Sequence, residues 1–287
     1  IHYGGGIQPV GALHVQSIID RCNADLRALN DDLANVVPEF TNVVGDMGVE
    51  LRLATRDEEG NCFSGIQYHY FDPNGGFPQT TGITFHTRTY LNIHIVPATN
   101  SFATYPSPIS DPYNAGDYIV LSAYDAGFRP RVLAHEIGHW LGLYHVWGPN
   151  NDNAITCGDD YIADTPITAG SVVGTCDLGL NTCTQGVVEN VQNHMDYSNC
   201  ALMFTQGQAQ HGLAVLGDAT LVRSLVVDPA NLFTTGVTDP SNCPITADIY
   251  HRVFIRCGGT EVQLRAMAEH ALADSVRWTF AGGSPST

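Results

Sequence analysis

The chain has no lysine: its twelve basic side chains are all arginine, set against twenty-nine acidic ones. The resulting net charge of −17 repels nucleic acid and anionic membranes, and it leaves carboxylates available for hard cations or cationic substrates. The lysine deficit is explained more readily by codon bias than by resistance to a lysine-directed protease, and no function is read from it. Long apolar runs are also missing, which excludes a membrane-spanning helix. C-x-x-C pairs are missing too, although there are eight cysteines, at 22, 62, 157, 176, 183, 200, 243 and 257. An even number without zinc-ribbon or redox spacing points to disulfides in an oxidising compartment. Neither a start methionine nor a charged-plus-apolar leader precedes Ile1, so the chain is expected to be the mature part of a secreted precursor.

At 287 residues and 44% hydrophobic, the chain can bury one large core, or one core and a smaller module. Val15, Ile18, Ile19, Cys22, Leu26 and Leu29 recur at helical spacing and predict a helix over about 13–30 packed on a sheet. Strands are predicted at 49–54 (VELRLA), 90–96 (YLNIHIV) and 117–122 (DYIVLS), and a second helix at 130–143, which together make a mixed α+β layer. From Gly148 to Cys200 the composition turns to Asn, Asp, Gly, Thr and Cys, an irregular region that needs fixing by disulfides. TQGQ at 205–208 has the form of a capping box and opens a C-terminal helix. Past about residue 235 three short alternating runs, within 249–257, 261–268 and 275–283, read as the start of a β-sandwich module cut off at Thr287.

The stretch AHEIGHWLGLYHVWG (134–148) carries the chemistry. His135 and His139, four apart, share one helix face with imidazoles about one turn apart, a spacing that suits one zinc ion. Gly142 permits a left-handed turn that ends the helix and returns His145 as third ligand. Glu136 projects beside the metal, where it can take a proton from a zinc-bound water. Three histidines and an open fourth position describe a catalytic rather than a structural site. The apolar residues between them, Ile137, Trp140, Leu141 and Leu143, are expected to hold the helix against the sheet. The expected reaction is hydrolysis of peptide bonds. One rival is a binding or adhesion protein on the same scaffold, which is expected to have lost Glu136. Another is zinc-dependent hydrolysis of something other than protein.

The complete H-E-x-x-H-x-x-G-x-x-H motif, with QNHMDYSNC (192–200) and MFTQGQA downstream, resembles the pappalysin family of metzincin metalloproteases. LRLATRDEEGNC (51–62), YLNIHIV, and GDDYIADTP (158–166) fall in the family's order, so the likeness covers most of residues 1–230. It implies a zincin fold: a twisted mixed sheet with a backing helix and an active-site helix, above an irregular lower subdomain. The expected division is a catalytic domain over 1–235 (upper 1–145, lower 146–235) and a partial β-sandwich of polycystic-kidney-disease type over 236–287. The resemblance implies Met195 as a hydrophobic floor under the zinc and Tyr197 as a stabiliser of the tetrahedral intermediate. It also implies disulfides Cys157–Cys183 and Cys176–Cys200. Cys22–Cys62 and Cys243–Cys257 are paired by proximity in sequence and domain. Asn150, Asn151, Asp152 and Asn153, followed by Asp159, Asp160, Asp164 and Thr165, form an oxygen-rich stretch suited to calcium, which relatives bind in this region. A secreted, bacterial, monomeric enzyme acting on protein or peptide substrates, with an inhibitory pro-segment in its precursor, completes the implication.

Two departures stand out. Relatives that cut before arginine or lysine carry acidic residues between the methionine-turn tyrosine and the next cysteine, forming the floor of the first pocket after the cut. Here only Ser198 and Asn199 occupy that stretch, which puts a strict basic preference in doubt unless Asp196 or another carboxylate substitutes. His194 stands where relatives carry a bulky apolar residue or tyrosine, and it is expected to face the surface.

Overall fold

The computed structural model describes residues 1–3, 10–70, 85–98, 100–108, 117–129, 131–151, 153–238, 243, 247–250 and 265–268. In chain order, β1 (His2–Tyr3), α1 (Ala12–Leu26), β2 (Val44–Gly45), β3 (His69–Tyr70), β4 (Asn92–Val96), β5 (Phe102–Ala103) and β6 (Tyr118–Ser122) make the first part. They are followed by α2 (Ala123–Phe128), α3 (Val132–Trp140), β7 (Phe204–Thr205), α4 (Gln206–Gly217), α5 (Arg223–Val226) and α6 (Pro229–Thr234), then β8 (Ala247–Tyr250) and β9 (Arg265–Ala268).

The central sheet has the order β4-β6-β5, with β4 parallel and β5 antiparallel to β6. β6 buries Ile119, Val120, Leu121 and Ser122 in succession, as a strand covered on both faces should. The predicted first helix appears as α1, with Val15, Ile18, Ile19, Cys22 and Leu26 buried against Leu133, Ile137 and Leu141 in one core. It stops short of the expected end because the chain turns through Ala28 at φ 50°, and Leu29, counted as apolar face, is 70% exposed. The second helix is α3, and Pro130 lies outside the described residues.

The strand expected at 49–54 does not join a ladder. The Asn23 side chain on α1 takes the place of a strand partner: its Nδ2 donates to Leu51 O (2.9 Å) and its Oδ1 accepts from Leu51 N (2.7 Å). At the far end β8 and β9 pair antiparallel, Ala247 opposite Ala268; the remainder of the predicted sandwich runs lies outside the described residues.

Disulfides Cys157–Cys183 and Cys176–Cys200 fasten the irregular region. The two pairings inferred from sequence proximity are corrected. Cys62 bonds Cys243, and Cys22 is free. Cys22 sits on the core face of α1 with no exposure, while Cys62 lies on an exposed turn, so the two cannot meet. Residues after α6 instead run along the turn's stem: Thr55 N and Arg56 N both donate to Thr235 O (2.9 and 3.1 Å), which brings Cys243 to Cys62. That bond excludes Cys243–Cys257, and Cys257 itself is outside the described residues. Non-reducing peptide mapping should recover a Cys62–Cys243 crosslink, and Cys22 should resist alkylation in the native protein yet react in guanidinium; a Cys22–Cys62 crosslink would refute this connectivity.

Candidate metal centre

Helix α3 is built to stay still. Ile137, Trp140, Leu141 and Leu143 are at most 5% exposed. Trp140 Nε1 donates to Asp117 Oδ1 (3.0 Å), which also accepts from Arg223 Nη2 (3.0 Å), and the Arg223 guanidinium lies 4.7 Å above the Trp140 ring. Before the helix, Arg131 bridges Asp32 (2.7 Å) and the Ala201 carbonyl, and its guanidinium is 3.6 Å from buried Asp25. α1, α3 and the chain after the methionine turn are thereby joined at one cation.

Gly142 ends the helix at φ 88°, in the left-handed region, with Gly142 N donating to His139 O (2.9 Å) and Leu143 N to Gly138 O (3.0 Å). The chain then turns back and delivers His145. His139 Nε2 lies 3.1 Å from both His135 Nε2 and His145 Nε2. Each ring's Nδ1 faces a carbonyl: His135 that of His194 (2.7 Å), His139 that of Leu143 (2.8 Å), His145 that of Asn150 (3.0 Å). A carbonyl only accepts, so each Nδ1 carries the proton and each Nε2 presents a bare lone pair. Burial lowers the pKa of His135 to about 4 and of His145 to about 3, and that of His139 well below the usual value, which keeps all three rings neutral.

Three lone pairs converging within hydrogen-bond range repel unless a cation sits among them. Among the described residues this is the group of three or more ligating side chains whose donor atoms all lie within 4.8 Å of one another. Glu136, 4% exposed, has an Oε2 without a partner among the described residues, and burial, reinforced by Asp125, raises its carboxyl to about 8. A divalent ion with nitrogen preference answers both anomalies, and zinc with an open position fits the donor set.

Met195 is fully buried beneath the helix. A Cβ on Gly138 would lie 2.3 Å from Met195 Sδ, so the glycine inside H-E-I-G-H is what lets methionine and helix meet. Tyr197 packs its ring 4.7 Å from His145 and 5.7 Å from His135, and its hydroxyl donates to Asn151 Oδ1 (3.2 Å). Trp147 stacks on His145 at 4.6 Å. Tyr105 was not foreseen: its hydroxyl is 3.1 Å from His139 Nδ1. Nothing distinguishes a lone tyrosine in SFATYPSPIS, so no local signal could have found it.

Below the metal centre, Glu189 was also unforeseen. Its buried carboxylate accepts from Thr168, Ala169 N, Thr182 N and hydroxyl, and Cys183 N; burial raises its pKa, but these bonds outweigh it and the net shift is downward. Asp196 does not replace the missing acidic floor: it is 4% exposed and accepts from Ser171 N (3.1 Å) and Ser198 N (2.8 Å). Ser198 Oγ donates to Val191 O, and Asn199 is exposed. The oxygen-rich stretch is only partly gathered. Asp164 is drawn away to α4, accepting from Thr205 Oγ1 (2.7 Å) and Gly207 N (2.8 Å), while Asp159 accepts from Tyr161 N. Asp160 and Thr165 do meet, and Asp160 Oδ2 is buried without a partner among the described residues. Asp152 lies outside the described residues. His194, expected at the surface, is instead 1% exposed, its ring 4.7 Å from Phe204 and 4.0 Å from Asp25, because its backbone must turn inward to give His135 its carbonyl.

An α+β domain with a sheet, a backing helix and an H-E-x-x-H helix over a methionine turn is a metzincin-type zincin. Residues 82–217 match the sequence model of peptidase family M43, described as pregnancy-associated plasma protein-A. The extracellular metalloprotease of Colletotrichum graminicola is 35% identical over 137 residues, 41% of this chain and 46% of that protein. That of Arthroderma otae is 32% identical over 182 residues, 58% of this chain and 63% of that protein. Mature mirolysin of Tannerella forsythia in complex with a cleaved peptide superposes with a TM-score of 0.68 at 28% identity, covering 82% of this chain and 95% of that one. A promirolysin mutant gives 0.70 at 25% identity, over 84% of each chain. The M43 match over residues 82–217 and the likeness to mirolysin support a pappalysin-type metzincin. It spans 27% to 63% of the length of the curated relatives it matches.

The Gly138–Met195 contact generates a prediction. Gly138→Ala should lower stability by about 1–3 kcal/mol through overpacking against Met195. Thermal denaturation should show the loss, and Gly138→Ala with Met195→Ala should recover part of it; a Gly138→Ala variant as stable as the parent would show the contact to be unimportant.

Proposed function

We propose that the chain is a secreted zinc-dependent endopeptidase. The observation that carries this reading is the convergence of three unprotonated Nε2 atoms beside the unpartnered carboxyl oxygen of Glu136. His135, His139 and His145 would hold zinc, which when bound supplies Lewis acidity toward a water and the scissile carbonyl. Glu136 accepts the proton of the attacking water and passes it to the leaving amine. Tyr197, its ring 4.7 Å from that of His145 and 5.7 Å from that of His135, offers its hydroxyl to the oxyanion once released from Asn151. β5 ends the central sheet among the described residues and leads directly into Tyr105, so an extended peptide can add alongside it with its backbone facing the metal centre.

The substrate class is peptide and protein. With Ser198 and Asn199 in place of an acidic floor, and Asp196 engaged by backbone amides, the pocket after the cut selects by size rather than by positive charge. Secretion accords with the disulfides and with the extracellular relatives, which are fungal rather than bacterial. No helix among the described residues is long and apolar enough to cross a membrane. The promirolysin relative supports an inhibitory pro-segment in the precursor. The division into a catalytic domain over 1–235 and a β module over 236–287 remains part of this proposal, as does calcium near Asp160 and Thr165.

Glu136→Ala should retain zinc yet lose about 10²–10⁴-fold in kcat. An unbiased peptide library should be cut by the parent in a manner abolished by chelation, without dominance of arginine or lysine after the cut. A zinc-loaded parent that cuts nothing would sink the reading. For calcium, adding it to chelated protein should raise the Tm, and Asp160→Asn should remove the rise; an unchanged Tm in the parent would count against the site.

A further inference from the structure

A row of tyrosines runs outward from the metal centre. Tyr105, which follows β5, packs its ring 5.4 Å from that of His139. The Tyr144 ring is 5.5 Å from that of Tyr105, and the Tyr161 ring is 6.4 Å from that of Tyr144, edge to face. The three come from separate places: the end of the sheet edge, the turn that delivers His145, and the polar loop beyond it. Tyr105 is 41% exposed, Tyr144 half-buried and Tyr161 75% exposed, so the row begins at a buried metal ligand and ends in solvent. Burial raises the pKa of Tyr105 to about 12, with Tyr144, Tyr197 and Glu136 adding to the rise, which places its hydroxyl within the field of the general base.

Tyr161 sits at φ 66°, in the left-handed region where a bulky side chain is an outlier. Asp159 Oδ1 accepts from Tyr161 N (2.7 Å) and Asp160 Oδ1 from Ile162 N (3.1 Å), so the turn fixes that conformation from both sides. The turn needs a left-handed residue here, but glycine would supply it without strain. Core packing gives no reason for tyrosine either, since most of the residue faces solvent. A strained backbone that holds an aromatic ring out into solvent, in line with two others that lead to the metal centre, has the form of a binding surface.

We propose that Tyr105, Tyr144 and Tyr161 form a specificity subsite that takes an aromatic or large aliphatic side chain of the substrate on the N-terminal side of the scissile bond. This role rests on the endopeptidase reading and adds a substrate preference to it. Tyr197, which opens the segment proposed for the pocket after the cut, packs on His135 and His145, whereas the row starts at His139. A peptide lying along β5 and crossing the metal centre meets the two aromatic groups at different ligands, which leaves the row for residues before the cut. Rings at these spacings still offer faces and edges to a further ring. Tyrosine presents that area with only two side-chain torsions to freeze on binding. Ring faces and hydroxyls suit an apolar side chain better than a carboxylate.

Peptides identical except for Phe, Leu, Ala, Arg or Glu at each position before the cut test the subsite. The zinc-loaded parent should show kcat/KM about tenfold higher for Phe than for Ala at one such position, carried by KM. Tyr161→Phe should keep that ratio, whereas Tyr161→Gly should bring it to about one and raise the Tm by releasing the strained backbone. Fluorescence polarisation of the same peptides on zinc-loaded Glu136→Ala should show the same preference in Kd, and Glu136→Ala with Tyr161→Gly should lose it. Cleavage with no Phe preference, a preference for Arg, or a ratio untouched by Tyr161→Gly would overturn the subsite and leave the endopeptidase standing. Peptides that bind with the Phe preference yet are never cut by the parent would keep the subsite and remove the endopeptidase.

Discussion

Three hydrogen bonds from imidazole to backbone carbonyl set the terms for everything else in this molecule. By holding the proton on Nδ1 of His135, His139 and His145, they turn three Nε2 lone pairs toward one point. The acceptors come from three separate places: the methionine turn at His194, the turn that ends α3 at Leu143, and the polar loop at Asn150. The centre therefore exists only when helix, turn and loop are registered together, and much of the remaining structure can be understood as the means of that registration. Gly142 sets the turn, Met195 fits under Gly138, and the disulfides with Glu189 hold a region that has little regular structure of its own.

The scarce cations are placed accordingly. With twelve basic residues in the chain, two arginines are committed to the active-site helix, Arg131 before it and Arg223 beside its last residue. Both make several contacts at once, which a planar guanidinium can do and an ammonium does poorly. Arg223 is fully buried against Asp117, so removing either partner would strand a charge in the core at a cost of about 3–5 kcal/mol. These clamps add specificity of position more than net stability. The His194 ring has the same logic: it is buried because its carbonyl is needed, and its neutral imidazole is the side chain carried into the core with it.

What could be read from the sequence was what repeats or sits within one turn. The i, i+4 histidines, the glycine that bends the chain, the capping box of Thr205 and Gln208, and the apolar face of α1 all involve neighbours a few residues apart. Their geometry follows from the helix itself. The features that escaped pair distant residues: Asn23 with Leu51, Cys62 with Cys243, Tyr105 with His139. No periodicity reports such contacts. The disulfides show the difference well. The two supplied by family likeness carry long-range information, whereas the two assigned by sequence proximity assumed that near residues meet, and Cys22 lies buried on α1 while Cys62 faces solvent.

The same distinction separates how this protein would cut from what it would cut. Cleavage chemistry resides in one helix and a turn, rigid and locally encoded. On the proposed function the pocket beyond the cut would be made by the methionine-turn segment, where side-chain roles are decided by non-local backbone contacts. Asp196 illustrates this. As a carboxylate one residue before Tyr197 it could have supplied a negative floor, yet the Ser171 and Ser198 amides point at its two oxygens, and burial raises its pKa to about 6. Turning it into the cleft would strand two amides and break the turn that carries Tyr197 and the His194 carbonyl. On the proposed function Asp196 is thus unable to read charge without dismantling the turn, and selection would fall to the shape left by Ser198 and Asn199.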